Sequence, residues 1–280
     1  MVTPLSNSLI RFREFAIHRA FRISTTEVLN PLPFKGTLQM VKALKQTVNE
    51  FKQQAMDETG HHVNYQMLRQ TSSYQDYTEN LVPQLQQLNL SELNRRETST
   101  AFWINLYNAI VIHAVIDYGI KESIAAGGLG DQVRFFQQAA YNVSGLRFSL
   151  EDIEHGILRA NRGNPFQFSP QISPTDPRIH FALNCASKSC PPIGVYDHQI
   201  LDQQLDLAAA NYIQYETKLT PAGLSISKLI GWYKKDFGTD QDIAAFILDY
   251  LPNDERKAWL HSKLNTPNFK YMPYNWGLNM

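Results

Sequence analysis

The sequence predicts a single α+β domain, a small antiparallel sheet packed by several helices. Three observations lead there. Runs with apolar residues at three- and four-residue steps alternate with short β-favouring stretches, one Ser-Gly pair separates two such stretches, and a chain of 280 residues suits one core carrying a helical lead-in. Hydrophobic residues make up 43% of the chain, and 26 Lys+Arg offset 26 Asp+Glu, the composition of an ordinary folded domain.

Residues 1–35 read as a lead-in segment that packs onto the domain without belonging to its core, ending in Asn30-Pro31-Leu32-Pro33; residues 36–280 form the domain. Leu9 to Phe21 is amphipathic, but Arg11, Arg13, Glu14, His18 and Arg19 interrupt every apolar run, so it lacks the hydrophobic region of a signal peptide. Leu38, Val41, Leu44, Val48 and Phe51 define a helix within 37–56, and 74–88 is a second packing helix, followed by the cap-like Ser91-Glu92. Thr98-Ser99-Thr100 offers N-cap hydroxyls to a strongly apolar central helix, 101–118, that stops at Gly119. Segment 138–150 flanks Ser144-Gly145 with β-favouring residues, a hairpin signal. Ser149 with Asp152 resembles a capping arrangement that opens a short helix to about Ala160. The Pro- and Ser-rich stretch 164–177 is a surface loop, and 178–185 reads as a buried strand. Helices at 202–215 and 240–251, a strand near 224–227 and a tail at 274–280 close the core.

Zero net charge and no basic stripe argue against nucleic acid as a partner, because phosphate recognition needs clustered Lys and Arg. The longest apolar stretch, Ile104 to Ile116, carries Asn105, Asn108 and His113 and falls short of the roughly 20 apolar residues that span a bilayer, so no membrane partner is expected. Two cysteines in one short segment cannot build the framework of a secreted scaffold; the cytoplasm is the expected compartment, and the thiols are local chemistry or core filling.

A cysteine nucleophile needs a lowered pKa, an imidazole, a group orienting that imidazole and donors for an oxyanion. Cys185 is followed by the small residues Ala186 and Ser187, which permit a tight turn with exposed backbone N–H groups. Cys190 precedes Pro191-Pro192, which removes the N–H donor beside it, so Cys185 is the preferred nucleophile. His155 is the first choice of base, with Glu154 to fix its tautomer. His180 lies five residues before Cys185, and in an unbroken strand that odd separation puts the two on opposite faces. His113 and His198 are further candidates. On the central helix Asn105 and Asn108 lie about 60° apart, with His113 about 80° from Asn105, so the three share a broad face. The catalytic set is therefore Cys185, His155, Glu154 and Asn105, supported by Asn108, His113, His180, Asn184, Ser187 and Cys190. Each also has a plain structural use. Cys185 serves equally as a small core hydrophobe, Glu154 with His155 as a helix surface pair and the asparagines as ties to backbone, while Trp103, Trp276 and the tyrosines read as core.

Ala-Phe-Trp-Ile-Asn-Leu-Tyr-Asn-Ala at 101–109, Ser-Leu-Glu-Asp-Ile-Glu-His at 149–155 and His-Phe-Ala-Leu-Asn-Cys-Ala-Ser-Lys-Ser-Cys-Pro-Pro at 180–192 together resemble the domain-of-unknown-function 547 (DUF547) family. The similarity runs from about Asn64 to Asn279. The tail reads Tyr-Asn-Trp-Gly-Leu-Asn where the family usually has Tyr-Asp-Trp-Ser-Leu-Asn, so Asn275 and Gly277 depart from the pattern. The resemblance implies no assigned activity; plant relatives that join this domain to a glutaredoxin-like module imply thiol or glutathione chemistry by analogy. Three readings stand side by side. One is a papain- or transglutaminase-like thiol hydrolase or acyltransferase, acting on a peptide or glutathione-like substrate through acyl-Cys185. Another is a dithiol redox protein cycling Cys185 and Cys190, although C-x4-C is not the C-x-x-C of thioredoxin-like sites. The third is a non-catalytic module that binds a small thiol or peptide. Zinc on His180, Cys185 and Cys190 matches none of the usual close-pair spacings, so neither metal nor cofactor is expected.

Overall fold

A computed structural model describes residues 4–31, 40–160 and 175–280. The architecture is α+β and is organised by the helix Arg96–Asp117, in which every side chain from Ser99 to Ile116 is buried. A helix enclosed on all sides must be apolar all round. This one is long and apolar enough, by length and composition, to cross a membrane, and its apolar stretch is buried inside the protein. It starts at Arg96 rather than Ala101. Arg95 occupies the cap position without a side-chain cap, and Ser99 and Thr100 are buried within the helix. Packing of its first turns overrides the cap signal of the hydroxyls, as expected where burial supplies most helical stability.

Met40–Ala55 buries Leu44, Val48 and Phe51 at the spacing read from the sequence. The predicted helix at 74–88 is a run that changes pitch, with π winding over Tyr77–Leu81 and a 3-10 turn at Leu85–Gln87. Pro83, with no N–H to continue the α ladder, sits where the winding changes. Ala140–Val143 pairs antiparallel with Leu146–Ser149. Ser144 and Gly145 join them with φ of 57° and 78°, the two left-handed positions of a type I′ turn. The Ser149 N–H and hydroxyl donate to Asp152 Oδ2 at 3.0 and 2.7 Å, and the Asp152 N–H returns to Ser149 Oγ at 3.1 Å. That reciprocal cap opens a segment wound at π pitch over Asp152–Leu158.

The second sheet pairs Thr217–Thr220 antiparallel with Gly223–Ile226, and Lys270–Tyr271 adds in parallel. Leu201–Tyr215 and Asp240–Tyr250 pack with it, forming an apolar cluster around Phe181, Ile226 and Ile247; a larger cluster surrounds the central helix.

Segment 178–185 is not a strand. Pro177–Phe181 is a 3-10 turn whose cap residue, Asp176, accepts the Arg178 N–H at 3.0 Å. Proline's fixed φ suits a first helical position, and Asp-Pro is a start signal that the apolar run Ile179 to Leu183 masked. The face argument separating His180 from Cys185 therefore lapses. The surface loop predicted at 164–177 falls mostly on 161–174, outside the described residues, as do parts of the lead-in, 1–3 and 32–35.

Candidate functional site

Two buried asparagines shape the cysteine loop. Asn108, on the central helix, donates to the Ala182 carbonyl at 3.0 Å and accepts the Asn184 N–H at 2.9 Å. Asn184 donates to the Pro191 carbonyl and accepts the Ala186 N–H, both at 2.7 Å. Burying amides demands such pairing. Ala186 takes a left-handed backbone with φ of 62°, the loop doubles back, and Cys185 and Cys190 are joined as a disulfide with Cα atoms 6.1 Å apart. The tail straps this loop from outside. Lys188 and Ser189 N–H groups reach the Gly277 and Asn275 carbonyls at 2.8 and 3.3 Å, and the Asn279 N–H reaches the Ala186 carbonyl at 3.1 Å. At Asn275, the amide oxygen accepts the Gly277 N–H at 3.0 Å, a turn that an aspartate would make as well. The Tyr274 hydroxyl lies 3.3 Å from Cys185 Sγ, 3.1 Å from Cys190 Sγ and 3.0 Å from Ser187 Oγ.

Both sulfur residues line a cavity of about 540 Å³. Cys185 is partly exposed and Cys190 buried. Trp232, Tyr274 and Trp276 form an aromatic cluster with ring centres 4.7 to 5.6 Å apart on one wall. Glu154, His155, Arg159 and His180 supply the polar groups.

Glu154 is buried, and each carboxylate oxygen accepts a phenol: Tyr107 at 2.9 Å and Tyr233 at 2.5 Å. Burial pushes its pKa up, but His155, the Tyr233 hydroxyl, His180 and Tyr107 outweigh that and hold the carboxyl below its ordinary range. Burial, then the Glu154 charge, pushes both phenols well up, so they remain donors. Asp236, in the short helix Lys234–Phe237, accepts His180 Nε2 at 2.8 Å and Arg159 Nε and Nη2 at 2.5 and 3.0 Å. Burial works against its ionisation, yet the hydrogen bonds from His180 and Arg159 bring the carboxyl down to about 2. Burial also keeps His180 below the usual imidazole value despite Asp236, so the pair is a neutral imidazole donating to a carboxylate. The His180 ring stacks on Tyr233 at 3.9 Å. Arg159 Nη1 lies 2.6 Å from His155 Nδ1. A guanidinium only donates, so Nδ1 accepts and the His155 proton sits on Nε2. That nitrogen lies 3.5 Å from Glu151 and 4.0 Å from Glu154.

Of the residues singled out in the sequence, Cys185, Cys190, Glu154, His155 and His180 meet at this cavity, with Asn108, Asn184 and Ser187 holding the loop behind the sulfurs. Several expectations need correcting. Cys185 is bonded to Cys190 and holds no free thiolate in this state. The His155 lone pair is committed to Arg159, and the side-chain hydroxyls bonded to Cys185 Sγ among the described residues are those of Ser187 and Tyr274. Backbone donors expected for an oxyanion are occupied, the Cys185 N–H by Cys190 Sγ at 2.9 Å and the Ala186 N–H by Asn184. Asn105 spends its amide on the Tyr196 C=O and N–H at 2.8 and 2.9 Å and does not line the cavity. His113 lies 2.8 Å from the Tyr141 hydroxyl, with Tyr74 and Tyr77 edge-on, and burial pushes its imidazole down to about 4; it is a core histidine. Trp276 and Tyr274, read as core, line the cavity. Asp236, Arg159, Tyr233 and Trp232 were missed. Arg159 carried a faint signal, being one helical turn beyond His155; Asp236 carried none.

Residues 90–213 match the family model described as "Protein of unknown function, DUF547". The matched span holds the central helix, the hairpin, Glu154, His155, Arg159, His180 and both cysteines, whereas Asp236 and the tail lie beyond it. No curated protein and no solved structure matches.

Proposed function

We propose that this chain, with its DUF547 region at 90–213, is a thiol–disulfide exchange protein that takes a small thiol or a thiol-bearing peptide into the cavity beside Cys185 and Cys190. One observation supports this reading above the others: the disulfide is part of the cavity wall, and its more exposed sulfur residue is Cys185. A substrate thiolate attacks Cys185 Sγ; the new S–S bond forms as the Cys185–Cys190 bond breaks, and Cys190 leaves as a thiolate. The Tyr274 hydroxyl and the Cys185 N–H, at 3.1 and 2.9 Å from Cys190 Sγ, stabilise that leaving charge. A second substrate thiolate displaces Cys185 from the mixed disulfide. Two substrate thiols are thereby oxidised to a disulfide, the protein disulfide is reduced to two thiols, and the two protons lost by the substrate thiols end, by way of solvent, on Cys185 and Cys190. A cystine that turns over is compatible with the cytoplasm, where persistent structural disulfides are rare.

The test is iodoacetamide trapping with mass spectrometry across glutathione buffers. Two alkylations are expected after reduction and none in the oxidised protein, with the midpoint between about −180 and −260 mV, the range of cellular glutathione. A disulfide that stays closed below about −300 mV is structural and overturns the reading.

A second reading has its own support. His180, fixed by Asp236 at 2.8 Å, is a carboxylate-held imidazole lining the same cavity. In the reduced protein it would serve Cys185 as base in papain- or transglutaminase-like acyl transfer, on a peptide or glutathione-like substrate. Rapid alkylation of one thiol in the reduced protein, slowed in His180→Ala, favours this reading; equal slow labelling of both thiols rejects it.

A further inference from the structure

A second cavity, of about 740 Å³, opens further along the tail, between residues 54–69, the end of the central helix and Leu278 and Met280. Its volume lies in the roughly 300–1,000 Å³ range of sites that enclose one small molecule. Val63 and Val115 are buried in its wall, while Met67 and Met280 are 52% and 60% exposed at its edge. Unbranched thioether side chains adapt to a flexible alkyl chain by changing rotamer.

The charges at the mouth are unequal. Asp57, the carboxylate side chain lining it, is already committed: it accepts the Thr59 hydroxyl, the His62 ring at 3.0 Å and the N–H groups of His61 and His62. Arg69 and Lys121, also lining it, are exposed and make no ion pair among the described residues. An apolar, adaptable wall under two uncommitted cations is complementary to an amphiphile with an anionic head.

We infer that this cavity binds a free long-chain carboxylic acid, its alkyl chain against Val63, Val115 and the methionines and its carboxylate at Arg69 and Lys121. The inference is independent of the disulfide chemistry. The probe is dodecanoate, titrated calorimetrically into the full chain below its micelle-forming concentration, with dodecanol as the uncharged comparison. One-to-one saturable binding is expected, about ten-fold tighter for dodecanoate than for dodecanol, with that advantage lost in Arg69→Gln/Lys121→Gln. Ile120→Trp fills the cavity and should abolish binding of both. Met67→Trp, at an exposed edge, provides a second block should the first variant fail to fold. Absence of saturable heat, equal affinity for acid and alcohol, or binding that survives in a folded blocking variant overturns the inference.

Discussion

Replacing Asp236 by asparagine tests whether the polar wall of the cysteine cavity is built around a carboxylate. The side chain is 6% exposed and faces Arg159 at 13% and His180 at 1%. Its carboxyl is held at about 2. Set against an ordinary value of about 3.9, that corresponds to about 2.5 kcal/mol of folding stability. Removing one partner of a buried pair costs roughly 3–5 kcal/mol. Asparagine keeps one acceptor oxygen, so a loss of about 2 kcal/mol is expected, or roughly 4–8 °C in Tm. The pH dependence has a definite sign. A carboxyl depressed in the folded state contributes fully above its unfolded value and loses that contribution as pH falls toward its folded one. The gap between native protein and Asp236→Asn should therefore be constant from pH 7 to about 4 and close between about 4 and 2. Urea denaturation at neutral pH and calorimetric Tm across that window measure both. A variant within about 0.5 kcal/mol of the native protein, or a gap that persists to pH 2, refutes the reasoning.

Asn184→Ala strands the Pro191 carbonyl and the Ala186 N–H, both bonded at 2.7 Å; a loss of roughly 2–4 kcal/mol by urea denaturation is expected, and faster reduction of the disulfide by dithiothreitol accompanies it. Tyr274→Phe removes a donor from both sulfurs, so alkylation of the reduced protein should show a raised Cys190 pKa, by on the order of half a unit to one unit, with near-native stability. His113, pushed down to about 4 by burial, stays neutral in the fold but is protonated in the unfolded chain below about pH 6.5. Stability should fall by about 3 kcal/mol as pH drops from 6.5 to 4, and His113→Phe should flatten that slope in pH-dependent denaturation.

Much of the scaffold was legible because its signals are local. Ser144-Gly145 needs only two left-handed residues between β-favouring flanks, and the Ser149–Asp152 cap closes within four positions. The error at 178–185 arose where two local signals competed: Ile179, Phe181 and Leu183 alternate as in a strand, but Asp176-Pro177 starts a turn, and the turn won. The site was half legible. Glu154 and His155 are sequence neighbours, and Cys185 and Cys190 are five apart, so short segments already grouped each pair. Asp236 meets His180 across 56 residues and Tyr274 meets Cys185 across 89, contacts that no spacing rule encodes. The asparagines do tie the helix to neighbouring backbone, but their sharing of one broad face did not say that they serve different loops, Asn105 at Tyr196 and Asn108 at Ala182, a division made only by how the chain returns.

Residues 274–280 contribute to the walls of two cavities. Tyr274 and Trp276 face the sulfurs, while Leu278 and Met280 face the apolar chamber. Between them the Leu278 N–H is held by Glu122 and the Asn279 carbonyl by Val63. Loss of these two bonds would loosen a segment that walls both cavities. A single cut near Pro273 would therefore release wall residues of both cavities together.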